Sequence, residues 1–169
     1  MSPKPYVIGQ YVSELGEAHT GVCVSHLECM KQWYYNTNEE MAIFCEDDHD
    51  FSSIDSWNFT WKQFIDHLPK NWGCVQLIRI VSPIGVSFCD DFDLRLRTGR
   101  WWGSASLMRR SWVKSILDRH IYGNGYRLEI PGGYTPIIEN VLYWAIGMVL
   151  NFPLLTENNS FKTTLNWDN

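Results

Sequence analysis

At 169 residues the chain is about one domain long and can bury roughly two thirds of its unfolded surface, so it needs neither disulfides nor a structural metal for stability. Apolar residues at 45% and charged residues at 20% exclude a disordered chain. A net charge of −5 and a pI near 5.5 exclude a general binder of nucleic acid or anionic membrane, since both need a basic face.

The opening MSPKPYVIGQ lacks the basic-then-apolar layout of a signal peptide, and PYVIGQYV reads as one strand at best. From His19 to Tyr35, Cys23, Leu27, Met30 and Tyr34 recur at helical spacing, which predicts an amphipathic helix. After the polar NTNEE comes MAIFC, a short apolar run typical of a strand covered on both faces. Thr60 and Gln63 form a T-x-x-Q capping box, Trp61, Phe64, Ile65 and Leu68 form a stripe, and Pro69 supplies the stop of a second helix.

A strand is expected over Gly73 to Val81, then loops and short strands, then a strand near Gly103 to Met108 feeding a helix from Ser111 to Arg119. Gly123, Gly125, Pro131, Gly132 and Gly133 punctuate a turn region. A last helix is expected over Ile138 to Leu150, with a loosely packed polar tail after Pro153. The apolar stretch VLYWAIGMVL is about half of a bilayer span. No repeat or linker interrupts residues 1–169, which read as a single domain. Alternating strands and helices predict an α/β fold with a mostly parallel sheet flanked by helices. In such sheets ligands bind beyond the carboxyl ends of the strands.

Five cysteines without C-x-x-C spacing suggest reduced thiols in a cytoplasmic setting. Nine Trp, eight Tyr and eight Phe exceed what a core of this size holds, so some should line a cleft or an interface.

MAIFC runs straight into Glu46, Asp47, Asp48 and Asp50. Carboxylates so close would repel one another unless a counter-charge intervened, and oxygen donors suit Mg²⁺ or Mn²⁺, whose remaining positions can hold a diphosphate. Phe51, Trp57, Phe59 and Trp61 follow the acids as an aromatic shell. His26 reads as a hydrogen-bonded packing residue, and His49 as a lone exposed histidine. Arg95, Arg97 and Arg100 with Trp101 and Trp102 read as a solvated strand edge that could also meet a phosphate or a sugar ring.

GVCVSHLECMKQW (21–33), AIFCEDDHDFSSIDSWNFTWKQFIDHLPKNWGCVQL (42–77), GSASLMRRSWVKSIL (103–117) and PIIENVLY (136–143) together resemble family-25 glycosyltransferases, the lipopolysaccharide-core and procollagen galactosyltransferases, including small phage-encoded members. The resemblance covers roughly residues 14 to 155. It implies a GT-A-like fold and inverting transfer of a sugar from a nucleotide donor, such as a UDP-sugar, to a glycan or hydroxyl acceptor. Glu46, Asp47 and Asp48 match the family's acidic motif at the donor. Asp47 and Asp48, with Asp50 as the extra acid, would surround Mn²⁺ or Mg²⁺. Glu139 falls where the family carries an acid near the acceptor and would be the general base, with Asp48 as the other catalytic carboxylate. Asn140 stands where the family has a second acid.

The family's opening strand and Arg-containing helix have no counterpart before Glu14, which implies a shortened N-terminal nucleotide-binding part. A second copy or a partner chain could complete the donor site. The alternative is a non-catalytic glycan-binding or virion-associated relative. A phosphoryl-transfer enzyme or nuclease using the same acids is disfavoured by the acidic pI.

Overall fold

The computed structural model describes residues 6–9, 12–47, 49–51, 59–78, 95–96, 105–130, 132, 134–143 and 149–157. The first long element is helix α1 (Val12–Asn36), interrupted at Gly16, whose φ of 73° and ψ of 166° are non-helical. Glycine adopts this left-handed conformation without the steric cost that a Cβ would add. The helix expected over His19 to Tyr35 lies wholly after the kink. It ends on Arg110, whose guanidinium donates to the carbonyls of Tyr34, Thr37 and Glu39 and stacks over the Trp33 and Tyr34 rings. A cation thus takes up carbonyls that the last turn of a helix leaves without partners.

Strand β1 (Val7–Ile8) precedes α1. The strand predicted from MAIFC is β2 (Met41–Cys45), and β3 (His49–Asp50) follows the acids. Helix α2 (Trp61–His67) carries the predicted capping box in full: the Thr60 side chain accepts from Gln63 N, and the Gln63 side chain accepts from Thr60 N. Strands β4 (Cys74–Ile78), β5 (Arg95–Leu96) and β6 (Ala105–Arg109) lead into α3 (Arg110–His120), the hairpin β7 (Ile121–Tyr122) and β8 (Gly125–Arg127), α4 (Ile138–Tyr143) and β9 (Val149–Glu157).

The main sheet has the order β2-β6-β4-β9-β3, with β5 also paired to β9, and a smaller sheet has the order β1-β8-β7. The fold is mixed α/β, as expected, but the mostly parallel sheet is corrected. Among the described pairings only β4 with β9 and β1 with β8 are parallel, whereas β6 is antiparallel to both neighbours. Because β6 lies between β2 and β4, those two strands and β9 nevertheless run in one direction. The last helix is also corrected. Among the described residues it covers Ile138–Tyr143, and Val149–Glu157 is a strand rather than the end of a helix and a polar tail. Leu150 belongs to the core. Pro153 sits where three residues of β4, Gln76 to Ile78, stand against five of β9, Asn151 to Leu155. Such an irregularity accommodates a residue that cannot donate a ladder hydrogen bond.

Alternation along the strands divides the core between the two faces of the sheet. Phe44, Cys74 and Met108 pack with Cys23, Leu27 and Met30 of α1, with α3, and with Val141 and Leu142 of α4. Val75, Leu77, Ala105, Leu107 and Leu150 pack with Phe64, Leu68 and Trp72 around α2.

His120 closes α3 in full burial. Its Nδ1 donates to the Arg127 carbonyl at 2.8 Å, while Nε2 has no hydrogen-bond partner among the described residues. Protonating Nε2 would bury a charge without an acceptor, and burial, helped by the nearby Arg119 cation, lowers the His120 pKa despite the opposing bond to Arg127. The unfolded chain therefore binds a proton near pH 6.5 that the folded chain refuses, and stability falls as pH drops through that value. Chemical denaturation at pH 7.5 and 5.5 should register this loss, up to about 1.4 kcal/mol per pH unit. His120→Gln should flatten the dependence, and an unchanged slope in that variant would assign it to other groups.

Candidate functional site

Strand β2 buries Phe44 beneath α1 and leaves Cys45 and Asp47 exposed, with Glu46 partly buried between them. The apolar-to-acid boundary in the sequence is therefore the point at which the chain leaves the sheet. Only Glu46, Asp47 and Asp48 separate Cys45 from His49, a reach of about 14 Å at full extension. His49 and Asp50 then pair with Glu157 and Thr156 of β9. His49 therefore lies within that reach of Cys45, and the far end of β9 lies one strand spacing beyond it. Glu46 and Asp47 thus follow the carboxyl end of β2, the end toward which β4 and β9 also run.

Two adjacent positions of α1 look onto this end of the sheet. His26, almost fully buried, brings Nε2 to 3.8 Å from Glu46 Oε1. Cys23 lies one turn earlier, and its thiol donates to the Pro136 carbonyl at 3.3 Å. The Cys23 thiol is pushed up to about 12, first by burial and then by the Glu139 carboxylate. Residues three apart on a helix are neighbours, so the residue that touches Glu46 and the residue whose thiol feels the Glu139 charge lie one turn apart on α1.

Helix α4 is held in place by polar contacts that the sequence did not signal. Ser106 Oγ of β6 and the Tyr143 hydroxyl are 2.7 Å apart, and the Trp112 indole donates to the Leu142 carbonyl at 3.1 Å. Asn140 is buried and donates to the Thr135 carbonyl at 2.6 Å. That bond braces the turn entering α4 and gives Asn140 a structural role where the resemblance led one to expect an acid.

The remaining predicted ligands divide as follows. Glu46 and Asp47 stand together at the strand end. Asp50 is on β3, and Asp48 lies outside the described residues. Arg97, Arg100, Trp101 and Trp102 also lie outside them, while Arg95 belongs to β5. Among the described residues no three His, Cys, Asp or Glu side chains are grouped to hold a metal ion. Glu46 and Asp47 nonetheless offer hard carboxylate oxygens with access to solvent, which is the chemistry that Mn²⁺ or Mg²⁺ requires. No described helix is long and apolar enough to cross a membrane.

Comparison of the chain with family models, with curated proteins and with solved structures finds no match in any of the three.

Proposed function

We propose that the protein is a metal-dependent glycosyltransferase that moves a sugar from a nucleotide-sugar donor to a glycan or hydroxyl acceptor, on a GT-A-like core. What supports this reading is the contact of buried His26 with Glu46 at 3.8 Å at the carboxyl end of β2, one helical turn from Cys23, whose thiol feels the Glu139 carboxylate. Asp47, with Asp48 and Asp50, would hold Mn²⁺ or Mg²⁺, and Glu46 would stand beside them at the donor. When bound, the cation offsets the charge on the donor diphosphate. Glu139 accepts the proton of the acceptor hydroxyl. His26 keeps Glu46 oriented, and the Ser106 and Tyr143 pair fixes the helix that carries Glu139.

Donor binding tests the proposal. UDP-sugars with Mn²⁺ should raise the melting temperature, because a ligand selective for the folded state stabilises it. Asp48→Ala should abolish that rise while leaving the fold intact. Unchanged affinity in the variant, measured by calorimetry, would remove Asp48 from the site.

A glycan-binding module without turnover is the second reading, and a different surface favours it. On the outer face of the small sheet, Tyr6 and Tyr122 are both about half exposed. The Tyr6 hydroxyl donates to the Tyr122 carbonyl at 2.9 Å, and the Arg127 guanidinium lies 4.2 Å from the Tyr122 ring centre. Aromatic faces beside a guanidinium suit a sugar ring. A thermal shift with oligosaccharides alone, and none with UDP and Mn²⁺, would favour this alternative.

A further inference from the structure

Strand β2 ends the main sheet and, among the described strands, pairs with β6 alone. Antiparallel pairs alternate between residues that exchange both backbone hydrogen bonds and residues that exchange none. Arg110 N donates to the Glu40 carbonyl at 2.9 Å, whereas Arg109 N turns the other way and donates to the Gly73 carbonyl at 2.9 Å. Met41 stands opposite Arg109, so the backbone groups of Ala42 and Phe44 face β6. Those of Met41, Ile43 and Cys45 point off the sheet. Ile43 is 39% exposed, and Cys45 is exposed as well.

Free strand edges are ordinarily kept short, or are interrupted by charge, proline or a bulge. The other marginal strands, β1, β3 and β7, are two residues long. Strand β2 instead has five uncharged residues, MAIFC, in unbroken register with β6. Acids stand at both of its ends: exposed Glu39 and Glu40 before it, Glu46 and exposed Asp47 after it. The Arg110 guanidinium, near the first end, is turned to the carbonyls of Tyr34, Thr37 and Glu39.

We propose that the free edge of β2 takes up an extended segment of a partner protein as an added strand, β-branched through its middle and carrying Lys or Arg at both ends. Backbone bonds to Met41, Ile43 and Cys45 hold the segment. A β-branched residue opposite Ile43 covers its exposed side chain. Basic residues at both ends meet acids whichever way the segment runs. A second copy of this chain lacks that complementarity. Antiparallel self-pairing about Ile43 sets Glu40 against Glu46 and Glu39 against Asp47, and parallel self-pairing sets each acid against itself. Like charges directly opposite one another destabilise a ladder. The surface is independent of the donor-site reading above.

The test uses the full chain and a synthetic peptide of alternating Val and Thr with two Lys at each end, beside a control peptide with Glu in place of Lys. Residue-resolved amide exchange by NMR should find Ala42 and Phe44 protected in the free chain and Met41, Ile43 and Cys45 unprotected. Those three should gain protection with the Lys peptide and not with the Glu peptide. Ile43→Pro removes an outward donor but no bond to β6. It should weaken peptide binding roughly tenfold, because a peptide carbonyl is left unpaired. Glu39→Lys combined with Glu40→Lys lies outside the strand, so it tests the same edge even where the proline variant fails to fold. It should weaken binding and flatten its salt dependence. Protection of all five β2 amides in the free chain, whether by another part of the chain or by a second copy seen in sedimentation, would overturn the proposal. So would absent binding of the Lys peptide, equal binding of the two peptides, or binding that leaves the three outward amides unprotected.

Discussion

Trp112→Ala is expected to lower the unfolding free energy by about 3–5 kcal/mol, read from urea denaturation. Trp112 is buried at the meeting point of three elements. It projects from α3, its indole donates to the Leu142 carbonyl on α4, and its ring occupies the space above Gly73 at the start of β4. A Cβ at Gly73 would lie 2.2 Å from Trp112 Cε3, so this approach of backbone to ring requires glycine. Truncation would remove the ring contacts, open a cavity and leave the Leu142 carbonyl without its donor. Trp112→Phe retains most of the volume and loses only the hydrogen bond, so it should cost about 1–2 kcal/mol. Equal losses in the two variants would show that packing is not the main contribution.

Glu139→Gln is expected to reduce sugar transfer by about 10²–10⁴-fold, the usual contribution of a positioned general base, while UDP binding with Mn²⁺ is unchanged. The amide is nearly isosteric with the carboxylate, so the variant separates proton acceptance from packing. It carries an internal check that is independent of turnover. Because the Glu139 charge is one of two causes raising the Cys23 thiol, the variant should titrate Cys23 at a lower pH, followed by carbon NMR of its Cβ. Normal turnover with a lowered Cys23 titration would remove Glu139 from the base role while retaining its position.

Local signals accounted for the elements whose determinants lie within a few residues. The capping box of Thr60 and Gln63 marked the start of α2, and Leu68 with Pro69 marked its end. The apolar run MAIFC defined β2 to the residue. The helix and strand around GSASLMRR were also legible, because the period changes from two to 3.6 near Arg109. The C-terminal region was not legible, since VLYWAIGMVL is equally apolar as helix or strand and short apolar runs do not distinguish the two. Pairing with β4 decides the matter there, through an irregularity that tolerates Pro153.

The candidate site divides along the same line. From residue types alone came the run of acids directly after the strand MAIFC, whereas the expected cover on both faces of that strand did not follow, since Ile43 and Cys45 are exposed. Tertiary structure alone decided that β6 runs against its neighbours, that β9 pairs with β3 just after the acids, and that His26 of α1 meets Glu46. Caps and hydrophobic period are written within one turn or one strand. Strand direction and the contact of α1 with the end of β2 instead depend on which surfaces are buried together, and no local stretch of sequence carries that information.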